Sequence, residues 1–309
     1  MSLLDLFSSA GPTGFGYSST ADQVVESLDL SGHTVLLTGC NSGIGLESVR
    51  SLSRRGARIL ALARDLPKAQ AVVDELGEGH LPVACELSDP ASVRAAVQTV
   101  RESGLELSAL VANAGIMALP QRELLFGIEK QLFTNHVGHF MLVTGLLDQL
   151  RPEGRVVILS SAAHRRAPSE GVALDDLAME RGYTAWTAYG QSKLANLLFA
   201  RELGRRFKAQ GQRRIAIAVH PGVIATNLGR HMSSAMQKGW ELAAPLVLKS
   251  PQQGAATQVF AAAHPAAAGM NGEYLADCNL KLSSRKGKDM DLARRLWERT
   301  EEVVAGLPT

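Results

Sequence analysis

Short apolar runs alternate with longer amphipathic segments along most of the 309-residue chain. Runs without polar alternation are typical of strands buried on both faces, whereas apolar positions every three or four residues are typical of helices. The runs are HTVLLTG (33–39), ARILALA (57–63), LPVACEL (81–87), LSALVANAG (107–115), RVVILSS (155–161), RIAIAVHPG (214–222) and GEYLAD (272–277). We therefore predict an α/β fold: a single doubly wound domain with a seven-stranded parallel sheet and helices on both faces.

The segments between these runs have helical spacing. It predicts helices over 43–55, 65–76, 90–103, 122–149 and 186–210. One further amphipathic segment, at the end of the chain, is interpreted as a packed terminal helix.

The first thirty residues precede the first predicted strand. We interpret residues 1–30 as an N-terminal extension, in which Thr20 and Gln23 have the spacing of a capping box for a short amphipathic helix. Residues 31–309 then form the predicted single domain.

Two stretches, 162–185 and 223–250, interrupt the alternation of strands and helices. Each follows the carboxyl end of a predicted strand, where open α/β sheets place their ligand sites. Residues 235–248 (AMQKGWELAAPLVL) are strongly apolar. We expect both stretches to contribute to a substrate pocket, and the substrate to be lipophilic.

Charge and cysteine content narrow the class of protein. Lys plus Arg total 32 and Asp plus Glu total 30, and this near balance argues against a nucleic-acid or membrane-surface partner. The three cysteines show no CxxC spacing, which is typical of a reducing compartment. Neither a signal peptide nor a long apolar run stands out. We therefore expect a soluble, cytoplasmic protein without a membrane anchor or a nucleic-acid partner.

A glycine-rich segment, TGCNSGIG (38–45), lies between the first predicted strand and the first helix of the domain. Gly39, Gly43 and Gly45 permit a tight turn and a close approach of the backbone to a diphosphate at the helix N-terminus. A Walker A loop does not fit, because Ile44 stands where that motif has a glycine. The segment predicts a dinucleotide site in a domain of the Rossmann type.

The end of the second strand, ALARD, bears on which dinucleotide is bound. An acid at this point binds the ribose 2′-hydroxyl of NAD, whereas an arginine accommodates the 2′-phosphate of NADP. Ala63 occupies the acid position and Arg64 follows it. Asp65 is the competing candidate, although it is also suited to cap the next helix. The sequence favours NADP(H), with NAD(H) as the alternative.

A tyrosine and a lysine four residues apart, Tyr189 and Lys193, lie on one face of a predicted helix. Reduction of a carbonyl requires a proton donor within hydrogen-bonding reach of its oxygen. The unperturbed pKa of tyrosine is about 10, and a cation one helical turn away, with an oxidised nicotinamide also nearby, would lower it. The pair therefore predicts a proton donor and the cation that adjusts its pKa.

The motifs together resemble the short-chain dehydrogenase/reductase family. TGCNSGIG is followed in the family's order by NAG (113–115), Ser-Ser (160–161), YGQSK (189–193) and PGVIAT (221–226), and the resemblance extends over about residues 20–305. The longer text around these motifs is similar to the branch that includes retinol dehydrogenases and related carbonyl reductases.

The resemblance implies a catalytic set of Asn135, Ser161, Tyr189 and Lys193. Ser161 would hydrogen-bond the substrate oxygen, with Ser160 as its rival, because adjacent strand residues point to opposite faces. Asn135 would hold a water in a proton relay with the lysine. His136 and His139 lack further ligands at metal-binding spacing, so no metal site is predicted.

The resemblance also implies a larger cofactor-binding set. Its members are Gly39, Asn41, Ser42, Gly43, Ile44, Gly45, Arg64, Glu86, Leu87, Asn113, Ala114, Gly115, Tyr189, Lys193, Pro221, Gly222, Val223 and Thr226. Glu86 departs from the aspartate that the family usually has at this position.

The implied activity is an NADP(H)-dependent interconversion of an alcohol with its ketone or aldehyde. An NAD-dependent alcohol dehydrogenase of the same fold is the alternative, and a catalytically silent dinucleotide-sensing protein is a third interpretation. The partner is a small-molecule alcohol or carbonyl substrate. Family members often form homo-oligomers through the helices that correspond to those carrying Asn135 and Tyr189 here.

Overall fold

The fold is built around one mainly parallel sheet. A computed structural model describes residues 10–224 and 248–308. The strands are β1 (Thr34–Thr38), β2 (Arg58–Ala63), β3 (Leu81–Ala84), β4 (Leu107–Ala112), β5 (Leu124–Leu125), β6 (Ile128–Glu129), β7 (Leu150–Leu159), β8 (Ile215–His220), β9 (Tyr274–Ala276) and β10 (Asn279–Leu280). In the described part of the chain the main sheet has the order β10-β9-β8-β7-β4-β1-β2-β3, and β5 pairs with β6 apart from it.

The doubly wound α/β fold is confirmed, but the sheet has eight strands rather than seven. The additional strand, β10, is antiparallel to β9. The chain reverses through Asp277 and Cys278, both of which have positive φ (54° and 61°). Such a turn between non-glycine residues has no clear signature in the sequence, which is why the prediction ended at residue 277.

Helices cover both faces of the sheet. They are α1 (Ala21–Val25), α2 (Gly43–Arg54), α3 (Leu66–Leu76), α4 (Pro90–Glu102), α5 (130–145), α6 (Ala185–Ala209), α7 (Pro251–Ala263) and α8 (Met290–Ala305). One face is covered by α4, α5, α6 and α8, and the other by α1, α2, α3 and α7. The strands between them are almost continuously buried, which explains their unbroken apolar runs.

The helix predicted over 122–149 is shorter than expected. Helix α5 begins at Lys130, where the carboxylate of Glu129 accepts a hydrogen bond from the backbone N–H of Leu132. The residues before it form the β5–β6 hairpin, which turns at Phe126 (φ 51°) and Gly127 (φ 77°). The middle of α5, Phe133–Val137, is a π-helix, which is rare and often found at functional sites.

The N-terminal extension packs against the domain. Helix α1 has the predicted capping box, because Thr20 and Gln23 exchange hydrogen bonds. Ala21, Val24 and Val25 are buried in the core on the side of α2 and α7. Within the described residues, no helix is long and apolar enough to cross a membrane.

The C-terminal helix α8 packs across α5 and α6. The Trp297 ring lies 4.9 Å from the Phe140 ring and 5.5 Å from the Phe199 ring, measured between centroids. His136 and Thr300 hydrogen-bond across the same contact at 3.1 Å. Helix α8 therefore covers the outer side of the two helices that carry Asn135 and Tyr189.

Candidate active site

The order of the strands places a crevice at the carboxyl ends of β1 and β4. The chain leaves β1 toward β2 on one side and later returns to β4 on the other, and ligands bind at such switch points. A cavity of about 1000 Å³ lies here. Its lining includes the predicted residues Gly39, Asn41, Ser42, Gly43, Ile44, Gly45, Arg64, Glu86, Leu87, Asn113, Ala114, Gly115, Ser161, Tyr189, Lys193, Pro221, Gly222 and Val223.

The glycine loop requires glycine for two different reasons. Gly39 and Gly43 have positive φ (70° and 52°), which is costly for residues with a Cβ. At Gly45 a Cβ would lie 2.0 Å from the Gly39 carbonyl oxygen and 2.8 Å from Nδ2 of Asn113. The loop can therefore fold back tightly against β4 and leave the start of α2 open to the cavity.

The start of α2 is suited to bind an anion. Ser42 is the N-cap residue of this 12-residue helix, but its side chain makes no capping hydrogen bond. The first N–H groups of the helix are thus not satisfied by a cap, and the positive end of the helix dipole points to the same place. This arrangement fits a dinucleotide diphosphate.

Thr38 joins the ends of β1 and β4. Its Oγ1 accepts hydrogen bonds from the backbone N–H groups of Asn113 and Ala114, both at 3.0 Å. The side-chain amide of Asn113 donates in return to the Thr38 carbonyl at 2.8 Å. His139 Nε2 lies 2.9 Å from Thr38 Oγ1 in the same buried network. These bonds fix the floor of the cavity.

Tyr189 and Lys193 lie one turn apart on α6, which begins after the N-cap Thr184. Lys193 Nζ donates to the Leu159 carbonyl at 3.1 Å and lies 5.6 Å from the centroid of the Tyr189 ring. The two side chains therefore meet at the carboxyl end of β7, where both line the cavity.

Burial governs the protonation of both groups. It raises the pKa of Tyr189 to about 12, and a hydrogen bond from Ser161 acts in the opposite direction. Burial also lowers the pKa of Lys193 to about 8. The sequence predicts a lowered pKa for Tyr189 beside both a cation and the nicotinamide. In the protein alone the pKa is raised, because loss of solvent outweighs the hydrogen bond from Ser161.

The two candidate serines have different environments. Ser160 is buried, and its hydroxyl donates to the Lys193 carbonyl at 2.7 Å, which ties β7 to α6. Ser161 lies at the cavity surface within hydrogen-bonding reach of Tyr189, and its hydroxyl accepts from the backbone N–H of Ala163. This geometry favours Ser161 over Ser160 as the residue that contacts a substrate.

Asn135 lies behind the cavity wall. Its side-chain amide forms two hydrogen bonds with the backbone of Ile116, one to the N–H at 2.8 Å and one to the carbonyl at 2.9 Å. Its Nδ2 also lies 3.0 Å from Ser192 Oγ. Gly115 permits this approach, since a Cβ there would lie 3.0 Å from Asn135 Oδ1. These contacts indicate that the Asn135 side chain fixes the position of the segment that follows β4.

Two cations line the cavity near the end of β2: Arg64 directly after the strand and Lys68 in the first turn of α3. Arg64 Nε lies 2.9 Å from Glu86 Oε2, and 69% of the Arg64 side chain is exposed. Lys68, which the sequence analysis did not identify, lines the same part of the cavity and pairs with Asp65. Asp65 caps α3 by accepting a hydrogen bond from the Lys68 N–H, as predicted.

The part of the cavity beside Tyr189 is lined by apolar and charged side chains that the sequence pattern did not predict. Trp186 lies one turn before Tyr189, with its ring centroid 6.1 Å from the Tyr189 ring. The Arg166 guanidinium stacks over Trp186 at 5.0 Å. Met117 and His220 also line the cavity. The i, i+3 spacing of Trp186 and Tyr189 was a usable signal, whereas Met117 had none. Thr226 lies outside the described residues.

The predicted absence of a metal site concerned His136 and His139. His139 Nδ1 hydrogen-bonds the Asn135 carbonyl, and burial lowers the pKa of both histidines. Over residues 10–224 and 248–308, no three His, Cys, Asp or Glu side chains are arranged to hold a metal ion.

Lys193→Met is expected to increase thermal stability. Lys193 has a lower pKa in the folded protein than in the unfolded chain, so folding is penalised while the group is charged. The increase in the free energy of unfolding is largest below pH 8 and disappears as pH rises toward 10.5. At neutral pH we expect this increase to be roughly 1–3 kcal/mol, and thermal unfolding across this pH range would measure it.

Lys208→Met, at an exposed position on the same helix, is the matched control and should leave the unfolding temperature unchanged. The Leu159 carbonyl keeps its hydrogen bond from Asn196 Nδ2 in the Lys193 variant. A less stable Lys193→Met protein at pH 7 would contradict the inferred cost of burying this charge.

Comparison with known proteins agrees with the motifs and the fold. A family model for the short chain dehydrogenases matches residues 33–174. The chain is 37% identical to the chloroplastic short-chain dehydrogenase TIC 32 B of Brassica napus, over 97% of both chains. It is 35% identical to human retinol dehydrogenase 11, over 92% of this chain and 89% of the relative. A crystal structure of an uncharacterized Mycobacterium paratuberculosis protein superposes with a TM-score of 0.74 at 34% identity, covering 93% of this chain and 98% of the other.

Proposed function

Because this chain belongs to the short-chain dehydrogenase/reductase family, among its retinol dehydrogenase-like members, we propose that it is an NADP(H)-dependent oxidoreductase that interconverts an alcohol with its ketone or aldehyde. The family assignment makes nucleotide-dependent oxidoreduction its reaction class. The observation that carries the finer proposal is the convergence of Tyr189, Lys193 and Ser161 on a cavity that begins at the glycine loop and Arg64.

The cofactor, when bound, would supply or accept the hydride. Residues of the glycine loop would hold its diphosphate, and Lys193 would hydrogen-bond its ribose. For the reductive direction, the Tyr189 hydroxyl would transfer its proton to the carbonyl oxygen of the substrate. Ser161 would donate a hydrogen bond to that oxygen and so orient it beside the tyrosine.

Lys193 stabilises the tyrosinate that this proton transfer leaves behind. Its ammonium lies near the Tyr189 ring, and in a buried site such a charge interaction is stronger than in water. At neutral pH Lys193 is mostly protonated, because its pKa is about 8. The charge of the lysine is therefore present when the tyrosine loses its proton.

Two cations at the end of β2 support the preference for NADP(H). Arg64 and Lys68 both face the cavity next to the glycine loop, and an arginine at this place accommodates a 2′-phosphate. Ala63 leaves no carboxylate at the position that grips a free ribose hydroxyl. The opposing observation is the ion pair between Arg64 and Glu86, which partly neutralises the arginine and favours an NAD-dependent dehydrogenase as the alternative.

The proposed substrate is lipophilic, such as a retinoid or another apolar aldehyde or alcohol. The relatives named as retinol dehydrogenases support this class. In the described part of the wall, Ile116, Met117, Ala162, Ala163 and Trp186 provide apolar surface. The apolar stretch 235–248 that first suggested this class lies outside the described residues except for Leu248.

The decisive experiment measures consumption of NADPH and NADH with a panel of ketones, aldehydes, retinoids and steroids. Arg64→Ala should raise the KM for NADPH by about tenfold to a hundredfold and leave the KM for NADH little changed, because only NADP carries the 2′-phosphate. A lower KM for NADH than for NADPH in the wild-type protein would instead support the NAD-dependent alternative.

Arg181→Ala is a matched control for this variant. The Arg181 side chain is also 69% exposed and ion-paired, but it bonds Asp175 and Asp176 outside the cavity lining. It should leave the KM values of both dinucleotides unchanged. An equal effect of the two substitutions would mean that Arg64 acts only on general stability.

A further inference from the structure

A fully buried lysine lies next to the cavity but takes no part in the proposed reaction. The Lys249 side chain has 0% exposure, and its Nζ pairs with Oδ1 of Asp277 at 2.6 Å. The same Nζ lies 4.7 Å from the centroid of the Tyr17 ring. Burial of an ammonium is costly even when it is paired, because the attraction repays the lost hydration only in part, and a role beyond stability would account for it.

Lys249 supports the loop formed by residues 221–224. Its stem packs against Gly222, where a Cβ would lie 2.7 Å from Lys249 Cδ. Its backbone N–H donates to the Val223 carbonyl at 2.9 Å, and Lys249 forms a parallel bridge with Ile224. All four residues of the 221–224 loop line the cavity. Both the side chain and the backbone of Lys249 therefore set the position of this wall.

The same loop and the glycine loop both pack against Gly254. Ile224 packs against Gly254, where a Cβ would lie 2.5 Å from its Cδ1. Ile44 of the glycine loop lies against the same glycine, with its Cγ1 at 3.4 Å from that Cβ position. A shift of the 221–224 loop would thus disturb the side of the cavity on which the dinucleotide is proposed to bind.

The carboxylate of the pair belongs to the tight turn between β9 and β10. Asp277 has a positive φ, and its carbonyl accepts a hydrogen bond from Asn279 Nδ2 at 2.7 Å. Asn279 in turn bonds the N-terminal extension: Nδ2 donates to the Phe15 carbonyl at 2.9 Å, and Oδ1 accepts from the Thr13 N–H at 3.2 Å. The N-terminal extension therefore holds the turn that presents Asp277 to Lys249.

We propose that the buried Lys249, its partly exposed partner Asp277 and the Tyr17 ring beside the ammonium form a latch that positions the 221–224 loop for dinucleotide binding. Lys249 is a positioning residue: it acts on the dinucleotide through Gly222 and Val223. The lost hydration of Lys249 offsets much of the attraction within this pair, so the pair adds little net stability, but it fixes one arrangement of three separate segments. This inference rests on the proposed function, because it assumes that the cavity binds a dinucleotide.

The test is direct binding of NADPH, followed by fluorescence, with the Lys249→Met and Asp277→Asn variants. Each variant should weaken binding by about tenfold, and the double variant should bind no more weakly than the worse single variant, because both changes break one unit. The KM for NADPH should rise by a similar factor, with a smaller change in kcat.

Glu202→Gln is the matched control for the loss of a buried charge. Glu202 is also 0% exposed and pairs with Arg205 and Arg206, but it lies on α6 away from the cavity lining. It should lower the unfolding temperature and leave NADPH binding unchanged. If Lys249→Met lowers the unfolding temperature but binds NADPH like the wild type, the latch is only structural and the proposal is wrong.

Two further outcomes separate this proposal from the proposed function. If the wild-type protein binds neither NADPH nor NADH, the proposed function fails, and the latch loses its role with it. If Lys249→Met does not fold, Tyr17→Leu decides, since it keeps both charges and removes the aromatic ring beside Lys249 Nζ. It should weaken NADPH binding severalfold in the folded protein, and wild-type affinity would overturn the proposal.

Discussion

The Tyr189→Phe variant is expected to lose carbonyl reduction by a factor on the order of 10³ while its dinucleotide affinity stays within twofold of the wild type. The substitution removes only the hydroxyl, so the ring keeps its contacts with Trp186 and Lys193. The loss follows because the Tyr189 hydroxyl lies within hydrogen-bonding reach of Ser161, where the substrate oxygen is proposed to bind. Initial rates with a carbonyl substrate, together with fluorescence titration of NADPH, check both parts.

Tyr183→Phe is the matched control for Tyr189→Phe. The Tyr183 hydroxyl donates to the Leu119 carbonyl at 2.7 Å outside the cavity lining. Its loss should change stability slightly and leave turnover intact. A Tyr189→Phe enzyme that kept turnover within a few fold of the wild type would exclude Tyr189 as the proton donor.

Gly45→Ala is expected to abolish detectable dinucleotide binding. A single added methyl group would lie 2.0 Å from the Gly39 carbonyl oxygen, and backbone atoms at that distance must move apart. The displacement would open the turn between β1 and α2 and withdraw the helix N-terminus from the diphosphate. Overpacking of this kind also costs about 1–3 kcal/mol of stability. Titration of NADPH and urea unfolding would measure the two effects separately.

Gly269→Ala serves as the control for Gly45→Ala. A Cβ at Gly269 would meet nothing within 4 Å, and its backbone is not in the positive-φ region. It should bind NADPH like the wild type. Normal NADPH affinity in Gly45→Ala would show that the tight turn is unnecessary for binding.

The sequence predicted most of the fold and most of the cavity lining. Strands buried on both faces appear in the sequence as continuous apolar runs. This pattern was enough to recognise β1, β2, β4, the second half of β7, and β8. The glycine loop and the Tyr189–Lys193 spacing predicted side chains that line one cavity, because each signal depends on neighbouring residues in the chain.

The missed features depend on residues with weak local signals or on contacts distant in sequence. The turns at Phe126 and Asp277 place non-glycine residues at positive φ, against their usual preference, so neither the β5–β6 hairpin nor β10 was predicted. Lys249 and Tyr17 are brought together only by the folded domain. Spacing along a helix likewise gave no measure of burial, which raises the pKa of Tyr189 in the protein without cofactor.

Helix α8 also affects how copies of this chain could associate. The family resemblance implied pairing through α5 and α6, but a second copy that approached along these helices would meet Leu292, Leu296 and Trp297 of α8 already seated there. Helix α8 thus occupies the outer side of the helix that carries Tyr189. Dilution would leave α8 in place, because an intramolecular contact does not depend on protein concentration.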